Sequence, residues 1–308
     1  MARDRYIFLL VAALAVVAPF LLRPLVAAEI LIFAVVAVAN NILLGYTGLL
    51  SFGQATFFGV GAYIAGLMVV HWAAPLWLVL PATALATLLL AVVIGYLCVQ
   101  RIGLYFIMLT FAFNQMFYFI AYSWTSLTGG EDGLPGVRRP AWIRDDLSFY
   151  AFVAVLFVIC LLLMKRIVDS PWGRLFQAVR DNPERAAATG HNVRRIKLTS
   201  FVVSGGFTGL AGALYAMLYG IVPVDAIHWL RSGDIVFMTL IGGSGSFFGP
   251  VIGAAFFIWL SETVSLFWNR WPLILGVVFA LVVLFLRGGV VEIIARIAGL
   301  ARRRKIAG

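Results

Sequence analysis

Long apolar segments follow one another along almost the whole of this 308-residue chain. A helix needs about 20 apolar residues to cross the hydrocarbon core of a bilayer, and fewer where it is broken or shielded by protein. Only 12% of the residues are charged, so a soluble fold could not cover this apolar surface. The candidate segments are residues 7–22, 25–44, 53–71, 76–99, 102–123, 149–167, 197–219, 232–243, 249–268 and 272–287. The sequence therefore predicts an all-α integral membrane protein with about ten transmembrane segments, in a single transmembrane domain over residues 1–308.

The eighth segment, residues 232–243, is too short to cross a bilayer as one straight helix. Irregular backbone at membrane depth is tolerated only where protein or water satisfies its polar groups. We therefore expect a half-helix or re-entrant segment that its neighbours shield from lipid. One or two of the predicted segments would then be broken helices.

Basic residues are unevenly distributed between the two sides that ten spans would define. Seventeen of the 23 Lys and Arg residues fall on the side that holds both termini. Because positive residues accumulate in cytoplasmic loops, both termini are expected in the cytoplasm and the chain in a bacterial inner membrane. Segment 7–22 has the basic flank of a signal peptide but no convincing cleavage site, so it is interpreted as a span. Loop 125–148 is then extracytoplasmic and loop 169–196 cytoplasmic.

The cytoplasmic loop carries the signals for two short helices outside the membrane. They are expected over residues 172–180 and 183–189. The start and stop signals are Ser170 and Pro171 for the first helix, Asp181 or Asn182 with Pro183 for the second, and Gly190 at its end. The loop is thus predicted to present a helix pair joined by a tight turn.

Two interpretations of this helix pair remain open. A run of basic residues often does no more than fix the orientation of a membrane protein. Alternatively, the pair is a docking element for a cytosolic partner. The small side chains of Ala186, Ala187 and Ala188, beside Glu184 and Arg185, would allow a partner to approach closely.

Glycines are concentrated where the second and third segments meet and again after the eighth. Glycine destabilises a helix by about 1 kcal/mol relative to alanine. In a membrane such runs indicate either close helix packing or a broken helix that lines a cavity, and both remain open. The residues are Gly45, Gly48, Gly53, Gly242, Gly243, Gly245 and Gly249.

Six polar residues in or beside the predicted spans are candidates for a translocation pathway. An amide or carboxylate is costly in lipid unless it faces protein or water. Each of these side chains therefore either forms an interhelical hydrogen bond or lines the pathway. The residues are Asn40, Thr47, Gln54, Asn114, Gln115 and Glu262.

Several signatures of chemistry are missing from the sequence. No GxxxxGK[ST] phosphate-binding loop is found, so the chain is not expected to hydrolyse ATP by that route. No catalytic constellation, metal-ligand spacing or cofactor motif is found either, and the basic balance is explained by cytoplasmic loops without nucleic acid. The absence of a series of intramembrane charges weakens a proton relay. A secondary transporter or channel, or an integral membrane enzyme, remains as an alternative to a transporter driven by another subunit.

Short motifs along the chain resemble one known family. Glu184–Gly190 resembles the Glu-Ala-Ala loop by which permeases of ABC importers contact their ATPase subunits. Further segments, in order, resemble branched-chain amino-acid permeases of the LivM type. These are residues 45–55, 105–110, 128–134, 209–215 and 242–254. The resemblance runs from about residue 30 to residue 290.

The resemblance implies the ABC-importer permease fold and a transport function without catalysis by this chain. The implied solutes are branched-chain amino acids or related small amphipathic solutes, with urea or amides as an alternative. The implied partners are a second homologous permease, two cytosolic ATPase subunits that bind ATP and Mg²⁺, and an extracytoplasmic solute-binding protein. Coupling to the ATPases would fall to Asp181, Glu184, Arg185, Ala186, Ala187 and Gly190.

Three residues depart from the family pattern. Arg185 stands where such loops often have alanine, Gln54 where a histidine is common, and Asn114 where a small residue is usual. The last two leave the identity of the solute open, while the fold expectation is unaffected.

Overall fold

The computed structural model describes residues 22–267 and 271–285, together with Phe8, Ala18 and Pro19. Within these residues the fold is almost entirely helical. The helices are α1 Pro24–Asn41, α2 Gln54–Trp72, α3 Leu76–Cys98, α4 Leu104–Ser123, α5 Thr125–Thr128, α6 Asp146–Asp169, α7 Pro171–Asp181, α8 Pro183–Ala188, α9 Val193–Tyr219, α10 Trp229–Gly242, α11 Gly249–Phe267 and α12 Trp271–Phe285. One antiparallel pair joins β1, Leu134–Pro135, to β2, Ile221–Val222. The predicted segment 7–22 and both termini lie outside the described residues, apart from the single positions named.

Seven helices in the described part of the chain are long and apolar enough to cross a membrane. They are α1 with the turn that follows it (Pro24–Tyr46), α2, α3, α4, α6, α9 and α11. Helix α10 has 14 residues and α12 has 15, which gives lengths of about 21 to 23 Å against a hydrocarbon core of about 30 Å. The predicted all-α membrane architecture is confirmed, whereas the count of about ten spans is not.

Helices α1 and α9 form the centre of the bundle. Helix α1 is packed against α6, α9, α10 and α11, and α9 is packed against α1, α2 and α3. The rings of Phe33, Phe58 and Tyr215 meet where α1, α2 and α9 converge, with centroids 5.0 to 5.9 Å apart. The outer helices expose apolar side chains instead, such as Leu89 on α3 and Ile159 on α6. Apolar side chains on the outer surface are expected where lipid, rather than water, solvates that surface.

Glycines allow α2 and α9 to touch backbone to backbone. A Cβ atom added to Gly61 would collide with the backbone of Gly209, and one added to Gly212 would collide with the Phe58 carbonyl oxygen. Small residues at a crossing permit this approach, and in lipid such packing replaces the hydrophobic effect as a driving force. For this pair of helices the glycines serve packing.

Four exposed tryptophans lie at the end of the bundle that carries β1 and β2. Trp72, Trp77, Trp124 and Trp142 lie at the ends of different helices or in the loop before α6, and each is more than half exposed. Tryptophan concentrates at the boundary between hydrocarbon and water. We call this end the β end, and the opposite end, which carries α7 and α8, the helix-pair end.

Loop 125–148 is fastened to the β end by Arg139. Its guanidinium donates to the carbonyl oxygens of Met217 and Leu218 at 3.0 and 2.8 Å, and it pairs with Asp146 at 2.8 Å. It also lies over the ring of Phe149, 4.3 Å from the centroid. The loop is therefore tied to the end of α9 by a half-buried cation that satisfies otherwise free helix carbonyls.

Candidate functional site

Helix α1 ends in a π-helical turn, Ile42–Tyr46. Single π turns are uncommon and often mark functional positions. Three of its carbonyl oxygens are satisfied locally. Thr47 Oγ1 donates to Ile42 at 3.0 Å, the Leu49 amide donates to Leu43 at 3.0 Å, and the Gly48 amide donates to Leu44 at 3.1 Å. Thr47, a predicted pathway residue, thus caps this turn, and Gly48 (φ 75°) reverses the chain after it.

The linker between α10 and α11 packs against this turn. Asn41 Nδ2 donates to the Ser246 carbonyl oxygen at 2.9 Å. A Cβ atom on Gly45 would collide with Asn41 Oδ1 and with the Ser244 carbonyl oxygen. We call residues 41–48 and 242–249 the glycine junction. It brings together most of the glycines that the sequence singled out.

Backbone contact also joins α10 and α11, which end and begin at the glycine junction. A Cβ atom on Gly242 would collide with the Gly249 carbonyl oxygen, and one on Gly249 would lie 2.5 Å from the Gly242 carbonyl oxygen. Gly243, with φ 99°, provides the bend. Gly245 is exposed and has open space beside it, so packing explains its neighbours but not this residue. Gly53 lies outside the junction, where an added Cβ would be 3.3 Å from Thr110.

Asn40 fastens α1 to α10. Its Nδ2 donates to Thr239 Oγ1 at 2.9 Å, and Thr239 in turn donates to the Ile235 carbonyl oxygen at 2.8 Å. Both side chains are fully buried. The Oδ1 atoms of Asn40 and Asn41 are buried without a hydrogen-bond donor among the described residues. A buried acceptor left unpaired is costly, so these two oxygens are sites where a donor would be stabilised.

Gln54 is held between α2 and α9. Its Nε2 donates to Ser204 Oγ and its Oε1 accepts from Thr208 Oγ1, each at 3.1 Å. Its side chain is fully buried and both ends of the amide are satisfied. In this structure Gln54 takes the role of an interhelical hydrogen bond.

The start of α2 receives hydroxyl groups from two other helices. The Phe52 amide donates to Thr110 Oγ1 of α4 at 3.3 Å, and the Ala55 amide donates to Ser232 Oγ of α10 at 2.9 Å. The first amides of a helix have no partner within it, so Ser232 caps α2 from across the bundle, and Thr110 satisfies an amide just before the helix. Neither contact was predicted from the sequence, because isolated Ser and Thr residues in apolar segments carry no distinctive pattern.

Asn114 and Gln115 lie on different sides of α4. Asn114 Nδ2 donates to Thr56 Oγ1 at 3.0 Å and to the Ile227 carbonyl oxygen at 2.8 Å, and its Oδ1 is unpaired among the described residues. Gln115 is half-buried, and its Oε1 likewise has no partner in the described part of the chain. Helix α4 is one of the most exposed spans, but Asn114 lies on its buried side, against α2 and Ile227.

Glu262 is separate from the other predicted pathway residues. It is exposed, near the end of α11 at the β end of the bundle. The nearest charged groups include the buried carboxylate of Glu29, which also faces Tyr219 and Arg231. Arg231 pairs with Asp234 at 3.7 Å and lies over the Phe33 ring at 5.4 Å.

The helix pair α7–α8 has the predicted caps. Ser170 Oγ accepts from the Trp172 amide at 3.2 Å, and Asn182 Oδ1 accepts from the Arg185 amide at 2.8 Å. Asn182, and not Asp181, is therefore the cap of α8. Gly190 has φ 86° and follows the end of α8, as expected of a residue that terminates a helix.

One face of the helix pair is buried and the other is open. Phe176 and Val179 of α7 are buried, and α7 packs against α6, α9 and the π turn. Of the predicted coupling residues, Ala186 is buried against the bundle. The others are exposed: Asp181, Glu184, Arg185, Ala187 and Gly190. A partner would meet this exposed set.

Arg180 connects the helix pair to the glycine junction. Its Nη1 donates to the Gly45 carbonyl oxygen, across 135 positions of sequence. A Cβ atom on Gly48 would lie 2.8 Å from Arg180 Cγ, so the absence of a side chain there makes room for the arginine stem. Arg180 was missed in the sequence analysis, because one arginine among several in a basic loop gives no signal.

Residues 25–287 match the family model described as "Branched-chain amino acid transport system / permease component". The chain belongs to this family. The match covers every described span and the α7–α8 pair. Members of the branched-chain amino acid permease family are transport subunits rather than catalysts. Together with the seven apolar helices, this places the chain among multi-pass inner-membrane permeases.

Individual relatives are distant but extensive. The chain is 25% identical over 282 residues to the high-affinity branched-chain amino acid transport system permease protein LivM of Escherichia coli (strain K12), covering 83% of this chain and 66% of the relative. LivM of Salmonella typhimurium is 24% identical over 84% of the chain and 68% of its own length. The autoinducer 2 import system permease protein LsrC of Salmonella paratyphi B is 27% identical over 62% of the chain and 58% of its own length.

The matched stretch thus spans about two thirds of the length of the LivM relatives. No solved structure is significantly similar to the chain.

Proposed function

We propose that this chain is one permease subunit of an ATP-driven ABC importer for branched-chain amino acids or related small amphipathic solutes. The observation that carries the proposal is the family match over residues 25–287. The exposed helix pair packs against the π turn that ends the central helix α1, which fits a pathway driven from outside the chain. The LsrC relative is named for the import of autoinducer 2 rather than of an amino acid, which supports a family whose solutes vary. Urea or amides are the nearest alternative solutes.

The proposed partners are those that the resemblance to ABC-importer permeases implies. Two cytosolic ATPase subunits, which bind the ATP and Mg²⁺, would contact the exposed residues of α7 and α8. A second, homologous permease would complete the pathway, and a solute-binding protein would deliver the solute to the β end. The chain itself would hold no cofactor. Both termini and the helix pair would then lie in the cytoplasm, in agreement with the excess of basic residues on that side.

The proposed mechanism is mechanical. When the ATPases close on ATP, they displace α7 and α8 as a unit. Helix α7 follows α6 with only Ser170 between them, and four residues separate α8 from α9. Displacement of the pair would therefore tilt α6 and α9 and change the packing of α1 at the glycine junction. Access to the pathway would alternate between the two sides of the membrane.

The assignment of the coupling surface is tested by ATPase co-purification. Replacing Glu184 with Trp adds bulk to the exposed face of α8, and we expect it to abolish binding of the ATPase subunits. Gly190→Val strains the positive φ at the end of α8 and should weaken binding as well. Asp132→Trp, an exposed acidic site at the β end, is the matched control. Full ATPase binding and coupling in both coupling variants would contradict the assignment.

A secondary transporter or channel makes a different prediction. Such a protein moves its solute across vesicle membranes when it is reconstituted alone. We expect no solute flux through this chain without ATPase subunits. Flux through the isolated chain down a solute gradient would contradict the proposed ABC function.

A further inference from the structure

Four backbone carbonyl groups of the π turn that ends α1 have identified partners, and one of these partners belongs to another element. Those of Ile42, Leu43 and Leu44 accept from residues 47 to 49, which belong to the same segment. The Gly45 carbonyl accepts from Arg180 of α7. Terminal carbonyls of a helix need such outside partners, and a charged donor forms a stronger hydrogen bond than a neutral one. Arg180 therefore completes the end of α1.

The contact is shaped for an arginine. Gly48 lies against the arginine stem, with φ 75° and with 2.8 Å between Arg180 Cγ and the position of an added Cβ. The Asp181 carboxylate lies 3.4 Å from Arg180 Nε. One side of the guanidinium group is thus held by α7 itself while Nη1 reaches the junction. This fork gives Arg180 two attachments that a single ammonium group would not reproduce.

Movement at Gly45 would affect both α1 and the α10–α11 linker. Beside Gly45 lie Asn41 Oδ1 of α1 and the Ser244 carbonyl oxygen of the α10–α11 linker. Asn41 also donates to Ser246 of that linker. The close contacts leave no free space for Gly45 to move independently, because packed interiors transmit strain.

From these contacts we propose that Arg180 is the positioning residue through which movement of the α7–α8 pair reaches the glycine junction. This inference rests on the proposed function, since it assumes that ATPase subunits move the pair. A displacement of α7 pulls the Gly45 carbonyl through Arg180. The end of α1 and the α10–α11 linker then shift together. Arg180 contributes here to coupling rather than to ATPase binding or to solute contact.

The first test needs no partner protein. Ser244 is half-buried at the junction, so Ser244→Cys places a partly shielded thiol there. The native Cys98 and Cys160 are buried and give little background. In membranes that contain this chain alone, adding Arg180→Met should raise the rate at which the introduced thiol reacts with a maleimide several-fold, because the junction is no longer held. Arg166→Met removes an exposed charge from α6 on the same side and should leave the rate unchanged. An unchanged rate in Arg180→Met would overturn the proposal.

The second test uses the complete reconstituted complex. Arg180→Met should keep the ATPase subunits bound and hydrolysing ATP while solute uptake falls by about tenfold, the scale of one lost charge-assisted hydrogen bond. Arg180→Lys should restore part of the uptake. Gly48→Ala keeps the charge but displaces the arginine stem, and should also uncouple; Gly136→Ala, with φ 86° and open space, controls for backbone strain alone.

Each outcome of the second test is decisive. Unchanged uptake per ATP in Arg180→Met would overturn the proposal. Loss of ATPase binding in the Met and Lys variants alike would assign Arg180 to the docking surface and also overturn it. Failure of the unaltered complex to take up solute with ATP would instead contradict the proposed function, and the labelling test would still report on the contact.

Discussion

The polar side chains inside this bundle hold helices together by direct pairing. Gln54 is the clearest case, because its amide joins α2 to two hydroxyls of α9 and has no exposed surface. Asn40 and Asn114 each use one amide nitrogen in a similar way, but their Oδ1 atoms find no partner among the described residues. In Asn40 and Asn114, therefore, the amide nitrogen pairs helices, whereas the amide oxygen remains a candidate for lining the pathway.

Removing the Gln54 amide should lower stability without changing solute preference. Gln54→Leu breaks two interhelical hydrogen bonds and leaves Ser204 and Thr208 without this partner. We expect the free energy of unfolding to fall by about 1 to 2 kcal/mol. Thermal unfolding in detergent measures the change. Gln100→Leu, an exposed residue whose amide donates to a carbonyl four positions earlier, is the control. A changed solute preference at full stability would show that Gln54 lines the pathway instead.

At the scale of elements, the helix pair was predictable and the π turn was not. Ser170, Asn182 and Gly190 signal helix ends through their own chemistry, so local sequence was sufficient for α7 and α8. The π turn at Ile42–Tyr46 depends on packing against Ser244 and on a donor 135 positions away. Such long-range contacts leave no periodic trace in the sequence. For the same reason, the hydroxyl groups that α4 and α10 supply at the start of α2 could not be predicted from the sequence.

The cap of α8 should matter for coupling because this helix has only six residues. Asn182→Ala removes the acceptor of the Arg185 amide, and loss of such a cap costs about 1 kcal/mol. We expect weaker co-purification of ATPase subunits, with Asn182→Asp close to the unaltered chain. Equal binding by the Ala and Asp variants would mean that α8 is held by the partner rather than by its cap.

The crossing of α2 and α9 should tolerate no added side-chain atom. Gly61→Ala places a methyl group against the backbone of Gly209, and overpacking of this kind costs about 1 to 3 kcal/mol. Gly233→Ala in α10 meets open space and should be neutral or slightly stabilising. Unfolding in detergent distinguishes the two. Equal stability of both variants would show that the helices separate easily at this crossing.

At the scale of the whole molecule, two ends with different chemistry are joined by an apolar bundle. The β end carries exposed tryptophans and a loop fastened by Arg139, and the helix-pair end carries the exposed face of α8. The membrane architecture followed from composition and segment length. The count of about ten spans is not confirmed: seven described helices are long enough to cross, α10 and α12 are shorter, and segment 7–22 lies outside the described residues apart from single positions.

Opposite labelling of the two ends should establish orientation in the membrane. Ala187→Cys in α8 and Arg144→Cys in loop 125–148 both place a thiol at an exposed position. In intact cells an impermeant thiol reagent should label the Arg144→Cys variant. The Ala187→Cys variant should stay unlabelled until the inner face is opened. The reverse pattern would contradict a cytoplasmic helix pair and, with it, the assigned coupling surface.

Solute uptake by the complete complex is the most direct measurement of the central claim. The chain would be reconstituted in vesicles with a second permease and two ATPase subunits, with the solute-binding protein on the side of the β end. The account predicts uptake of labelled leucine or a related small solute only when ATP is present on the side of the helix pair. Uptake that is independent of ATP and of the ATPase subunits would contradict it.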